Sequence, residues 1–144
     1  MSKFIIVLLV SILLSSCSSN KQVKNSNTNF NARQMMIELQ GREPDQPDLK
    51  ELEKYPLGSA NNPIRVDGVA GERSYLISLS CNDNSAPSFK RAGSVGVGPY
   101  GFILDLYKVE CIDNLEKKMF SIYMDLYHPG YVEKRAVPGF GIIN

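Results

Sequence analysis

The sequence predicts an α+β fold: a small antiparallel sheet of three to five strands with one or two short helices, preceded by a signal peptide and a disordered tether. Three observations carry this. Two long stretches in the C-terminal half alternate apolar and polar residues with a period of two. Shorter stretches nearer the N-terminus repeat apolar residues at i, i+3 and i+4. The first sixteen residues read as an export signal and belong to no domain.

The strand signal is strongest in Phe102 to Cys111. Phe102, Leu104 and Leu106 take one face, and Ile103, Tyr107 and Val109 share the other with Asp105. Met119 to His128 is its expected partner, with Phe120, Ile122, Met124 and Leu126 against Ser121, Tyr123, Asp125 and Tyr127. Asp113, Asn114 and the charged residues after them supply the connection. Ser88 to Ala92 reads as a short strand, followed by a Gly-rich loop from Gly93 to Gly101. Ile64 to Val66 is a brief strand ending at Asp67-Gly68. Pro129-Gly130 turns the chain, and Tyr131 to Ala136 offers a last strand.

The helix signals are local. Ala32, Met35, Met36 and Leu39 share one helical face within residues 31–40. Asn31 is a good N-cap, with Gln34 three residues on as in a capping box and Phe30 at stapling distance from Met35. Gly41 suits the position after the helix. The Met-rich face reads either as a partner-binding surface or as a face that packs on its own domain, the commoner use of an amphipathic helix. Asp48 to Tyr55 makes two turns capped by Asp48 and stopped by Pro56. Residues 70–81 are ambiguous. Tyr75, Ile77, Leu79 and Cys81 alternate as in a strand, whereas Tyr75, Leu76 and Leu79 after Gly71-Glu72-Arg73 suit a short helix ending at Cys81, which is the reading preferred.

The N-terminus opens with Met1-Ser2-Lys3, then a run from Phe4 to Leu14 that is apolar apart from Ser11. Crossing a bilayer takes about 20 apolar residues, so this run is too short for a membrane helix and fits a secretory signal. Leu14-Ser15-Ser16-Cys17 resembles the lipobox of bacterial lipoproteins. The resemblance implies diacylglycerol on the Cys17 thiol and cleavage between Ser16 and Cys17. Two or more acyl chains hold a protein on a membrane stably, each buried CH₂ contributing about 0.8 kcal/mol. Ser18 at the second mature position, where Asp resembles a retention signal, implies the periplasmic face of the outer membrane in a Gram-negative cell, with the inner membrane as the alternative. Ser18 to Phe30, rich in Asn and Ser, has almost nothing to bury and reads as a flexible tether. The expected organisation is therefore signal 1–16, lipidated tether 17–30, helical segment 31–55 and α+β domain 56–144. The stretch from Gly71 to Cys111 also resembles small bacterial envelope proteins, a likeness that carries no activity with it.

The chain has three Cys. With Cys17 given to lipid, Cys81 and Cys111 remain as a pair, expected as a disulfide in an oxidising compartment. Two free or metal-binding thiols are the alternative. A zinc site would lack ligands, because there is one His and no C-x-x-C.

Charge excludes further classes. The chain carries 16 Lys+Arg and 15 Asp+Glu. Loss of Lys3 with the signal balances them, so no basic excess points to nucleic acid. Gly96-Val97-Gly98-Pro99-Tyr100-Gly101 matches G-x-G-x-x-G, but a dinucleotide site needs a helix after the motif. Here a strand follows, and Pro99 removes a backbone donor, so no nucleotide or other cofactor is expected. His128 sits on the opposite strand face from Asp125 by alternation, and reads as a polar residue before a turn. No metal site and no catalytic residue are expected. The best lead is a face lined by Tyr107, Tyr123 and Tyr127, which is either a binding surface, since Tyr is favoured at interfaces, or a second core layer. The functional expectation is a non-enzymatic envelope lipoprotein binding a protein or envelope component. An immunity-type inhibitor of a toxic enzyme and a small periplasmic hydrolase are the alternatives.

Overall fold

A computed structural model describes Glu38, residues 45–113 and residues 115–143. The signal, Cys17, the tether and all of segment 31–40 except Glu38 lie outside the described residues. The elements in chain order are α1 (Leu49–Leu52), β1 (Ile64–Asp67), α2 (Gly68–Ser78), β2 (Leu79–Ser80), β3 (Ser88–Val97), β4 (Ile103–Asp113), β5 (Glu116–Asp125), β6 (Tyr127–Val132) and β7 (Gly141–Ile142). The fold is α+β, as the residue patterns predict.

The β4–β5 hairpin is the longest ladder, running from Asp105 opposite Met124 to Asp113 opposite Glu116. β3 adds antiparallel to β4, and the five-stranded sheet has the order β3-β4-β5-β1-β6. One pairing departs from the antiparallel expectation. β1 lies parallel to β5, with Ile64 beside Met124. A parallel neighbour must be buried on its faces, and Ile64 and Val66 are indeed buried. β6 runs antiparallel to β1, and the short β2 and β7 form a separate two-stranded ladder.

The ambiguity over residues 70–81 resolves into both forms. The helix starts just after Asp67 and ends at Ser78, short of Cys81, because Leu79 and Ser80 leave it to pair with Ile142 and Gly141. Tyr75 and Leu76 from α2, with Leu79, meet Ile64, Val66, Tyr107, Val109, Ile122, Met124 and Val137 in the main core. Burying each large apolar side chain contributes roughly 1.5–3 kcal/mol, so this cluster holds helix to sheet.

Three other expectations shift. The Gly-rich loop is shorter than predicted, because β3 continues to Val97 through two bulges. Gly93 and Gly96, at φ +145° and +55°, supply the backbone freedom those bulges need. The strand expected over Tyr131 to Ala136 instead begins at Tyr127 and ends at Val132, so β6 contains Pro129-Gly130 where a turn was expected, and a further short strand, β7, follows it. Finally, the packed unit reaches back beyond Pro56. Leu52 from α1 is buried with Tyr100 and Phe102, and the Asp45 N–H donates to the Tyr100 carbonyl at 3.1 Å. Asp48 caps α1 as predicted, its carboxylate accepting from the Lys50 N–H at 2.9 Å.

Cys81 and Cys111 are bonded to each other, with Cα atoms 5.8 Å apart. The bridge spans 30 residues and fastens the segment after β2 to β4. A loop of that length constrains the unfolded chain by about 3–4 kcal/mol in the entropy model. The double variant Cys81→Ser/Cys111→Ser is therefore expected to lose about that much stability in urea denaturation. Wild type under reducing conditions should match it.

Candidate functional site

Among the described residues four carboxylates are buried: Glu72, Asp105, Asp125 and Glu133. Burying a charge costs several kcal/mol unless it is paired, so each needs its own account.

Asp105 and Glu133 are each neutralised by an arginine. Arg91 grips Asp105 with two hydrogen bonds of 2.6 Å, from Nε to Oδ2 and from Nη2 to Oδ1, and Ser94 Oγ donates to Oδ1 at 2.9 Å. Arg135 grips Glu133 through Nε and Nη2, both at 3.0 Å. Burial pushes the Glu133 carboxyl up, but the Arg135 hydrogen bonds outweigh it and hold the group below the usual range.

Glu72 has no cation of its own. It is fully buried on α2, Oε2 accepts from the Tyr107 hydroxyl at 3.0 Å, and Oε1 has no partner. Burial pushes its carboxyl up to about 7, the Asp105 charge adds to this, and the Tyr107 hydroxyl opposes it. Burial, with Glu72 beside it, pushes Tyr107 up to about 12. A carboxyl that titrates near neutrality suits proton transfer, but Glu72 does not line the groove described below.

Asp125 stands at the end of β5, in an aromatic corner. Its Oδ1 accepts from the Tyr127 N–H at 3.1 Å, and its Oδ2 lies 3.3 Å from His128 Nε2. Neither Oδ2 nor Nε2 makes a hydrogen bond. The His128 ring stands edge-on to Tyr100, centroids 4.6 Å apart. Arg65, opposite Asp125 on β1, donates from Nη2 to the Tyr131 hydroxyl at 2.7 Å. Its guanidinium lies 4.1 Å from the Tyr131 ring centroid and 5.8 Å from that of Tyr100. A guanidinium over a ring face at these distances makes a cation–π contact.

Two sequence expectations are corrected here. His128 does not sit on the face opposite Asp125. The strand breaks at Leu126, whose carbonyl accepts from the Gly68 N–H at 2.8 Å, so period-two alternation does not run through it. Nor do the three tyrosines line one face. Tyr107 pairs with Ile122 and Tyr123 with Leu106, and adjacent residues of a strand point to opposite sides. Tyr107 is in the main core, while Tyr127 stacks on Phe102 at 4.8 Å in the second cluster. G-x-G-x-x-G bridges two strands, without a helix to follow it. A Cβ on Gly98 would come within 2.5 Å of the Leu104 side chain, a packing reason for the glycine.

Tyr131 also joins the corner to a groove of about 440 Å³ between α2 and the segment after β6. Gly71, Ser74 and Tyr75 form one wall, Val132 to Lys134 the other, and Ile142 and Ile143 close the end. The walls are mostly apolar, a character typical of ligand and peptide sites. Among the described residues, no Ser, Thr or Cys side chain hydrogen-bonds to His128, and no group of three or more potential ligands could hold a metal ion.

Comparison with known proteins yields no match: no family model, no curated protein and no solved structure resembles the chain.

Glu72 sets a pH dependence. Its folded value of about 7 lies above the ordinary 4.5. The folded state therefore holds the proton more tightly, and stability falls as pH rises through that window. Between pH 4.5 and 8 the loss is on the order of 2–3 kcal/mol, offset by relaxation of the site. Glu72→Gln keeps the acceptor for Tyr107 and removes the charge. Its urea midpoint should exceed wild type at pH 8, with the gap closing by pH 4.5. A gap that does not change with pH would sink this account.

Proposed function

We propose that the chain is a membrane-anchored envelope lipoprotein, held by lipid on Cys17, whose domain binds a protein or envelope component and catalyses no reaction. The observation that carries this reading is the sorting of the cysteines. Cys81 and Cys111 are bridged, which suits an oxidising compartment. The third, Cys17, falls within the lipobox-like Leu14-Ser15-Ser16-Cys17. Ser18 after it favours the outer membrane of a Gram-negative cell, facing the periplasm.

The aromatic corner supports binding. Arg and Tyr are the residue types over-represented where partners are gripped, and Arg65, Tyr100 and Tyr131 stack there. Asp125 and His128 form a close pair to which, among the described residues, no Ser, Thr or Cys side chain is hydrogen-bonded, whereas a hydrolase of the Ser-His-Asp kind places its nucleophile within such reach. The inhibitor reading calls for an acidic excess, and the 15 Asp+Glu against 16 Lys+Arg of the chain give none.

Palmitate labelling of growing cells tests the anchor. Label should enter the wild-type chain and be lost in Cys17→Ala; equal labelling of both refutes it. Crosslinked pull-down from intact cells tests binding. A partner recovered with wild type should be lost with Arg65→Ala, and recovery of no partner by the anchored form overturns the binding reading.

A further inference from the structure

The helix α2 is held unevenly along its length. Its C-terminal end is fastened several times. The Tyr75 hydroxyl donates to the Arg135 carbonyl at 3.0 Å, the Ser78 carbonyl accepts from the Ile143 N–H at 2.8 Å, and Leu79 and Ser80 pair with β7. The Cys81–Cys111 bridge follows directly. The N-terminal end has less. The Gly68 N–H donates to the Leu126 carbonyl at 2.8 Å. Asp67 stands at the N-cap, but its side chain does not bond the helix; Oδ2 accepts from the Gly130 N–H at 2.9 Å instead. The first turn carries no acidic residue to favour the helix dipole. Gly68 and Gly71 both fall at this end, and glycine is a poor helix former.

Glu72 ties these loosely capped turns to the sheet. It is fully buried, its Oε2 accepts from the Tyr107 hydroxyl, and its Oε1 has no partner. The titratable groups around it come from four strands: Tyr107 and Asp105 on β4, Arg91 on β3, Asp125 on β5 and Tyr127 on β6. β1 contributes the apolar Ile64 and Val66. Arg91 is the cation among these groups, and it is already bidentate on Asp105.

A neutral carboxyl fits this setting and an ionised one does not. A buried charge without a partner is far more unfavourable than a buried neutral group, and burial with the Asp105 charge accordingly pushes Glu72 up to about 7. Hydration relieves the charge, and the turns that carry Glu72 are the part of α2 with the fewest ties. Gly71 and Ser74 in those turns form a wall of the groove.

We propose that the first two turns of α2, Gly68 to Ser74, are a proton-gated latch: they close on the sheet when Glu72 is neutral and swing outward when it is ionised, moving the groove wall formed by Gly71 and Ser74. The β4–β5 ladder stays intact while the latch is open, which separates this motion from a general loss of stability. The inference needs neither the lipid nor a partner, so it stands or falls separately from the proposed function.

Residue-resolved amide hydrogen exchange of the full-length protein tests it, at pH 6 and pH 8, with each rate divided by the intrinsic rate at that pH. The amides of Glu72 to Tyr75 close the first turns of α2. Their opening is expected to grow about tenfold from pH 6 to pH 8, the factor given by a carboxyl at about 7 in the closed state and 4.5 in the open one. At both values they should open more often than amides of the β4–β5 ladder, and with little response to low urea, because a local opening exposes little surface. Glu72→Gln should open no more at pH 8 than at pH 6. Equal protection of α2 and ladder amides in wild type would overturn the proposal, since the helix would then open only with the whole domain. So would a wild-type opening that does not change with pH, or a tenfold response that persists in Glu72→Gln. The wild-type measurements decide the proposal without the variant.

Discussion

The ladder between β4 and β5 is the constraint on which the rest of this domain depends. It pairs Asp105 through Asp113 with Met124 back to Glu116 without a bulge. A one-residue slip would send every side chain to the other face. In the native register Tyr107 and Val109 meet Ile122 and Phe120 beneath α2, and Leu106 and Tyr123 go to the other side. β3 docks on one flank of this hairpin and β1 on the other. Cys111, near the end of β4, then carries the bridge to Cys81.

The same register brings acids inward. Asp105 faces the core as a direct result of its place two residues before Tyr107, and Arg91 on β3 neutralises it from across the ladder. Glu72 receives no such cation, and the Asp105 charge works against it. One acid is thus stabilised by its place in the sheet, and its presence makes the next one costly to ionise. The Tyr107 hydroxyl on Glu72 is the compensation the fold provides.

The hairpin was legible because period-two alternation is local. So was the cap at Asp48. The parallel placement of β1 against β5 was not, since it joins residues 60 positions apart and Ile64-Arg65-Val66 is too short to show a pattern. The three-tyrosine face failed because Tyr107 is odd-numbered and pairs with an even-numbered partner, so that Tyr123 falls one step out of phase. The Asp125–His128 contact was hidden by the break at Leu126, which no residue type announces. Glu72 could have been found. It stands three before Tyr75 and four before Leu76, on the face that the helical reading already assigned to the core.

The corner around Arg65 gains meaning from where the chain enters the domain. Asp45 is fastened to Tyr100, the tyrosine beside which Arg65 and His128 sit. Leu52 of α1 packs against Tyr100 and Phe102, and Tyr127 packs against the same cluster. The corner is therefore held by α1 as well as by the sheet: Tyr100 takes its place from both, and Arg65 and His128 meet its ring.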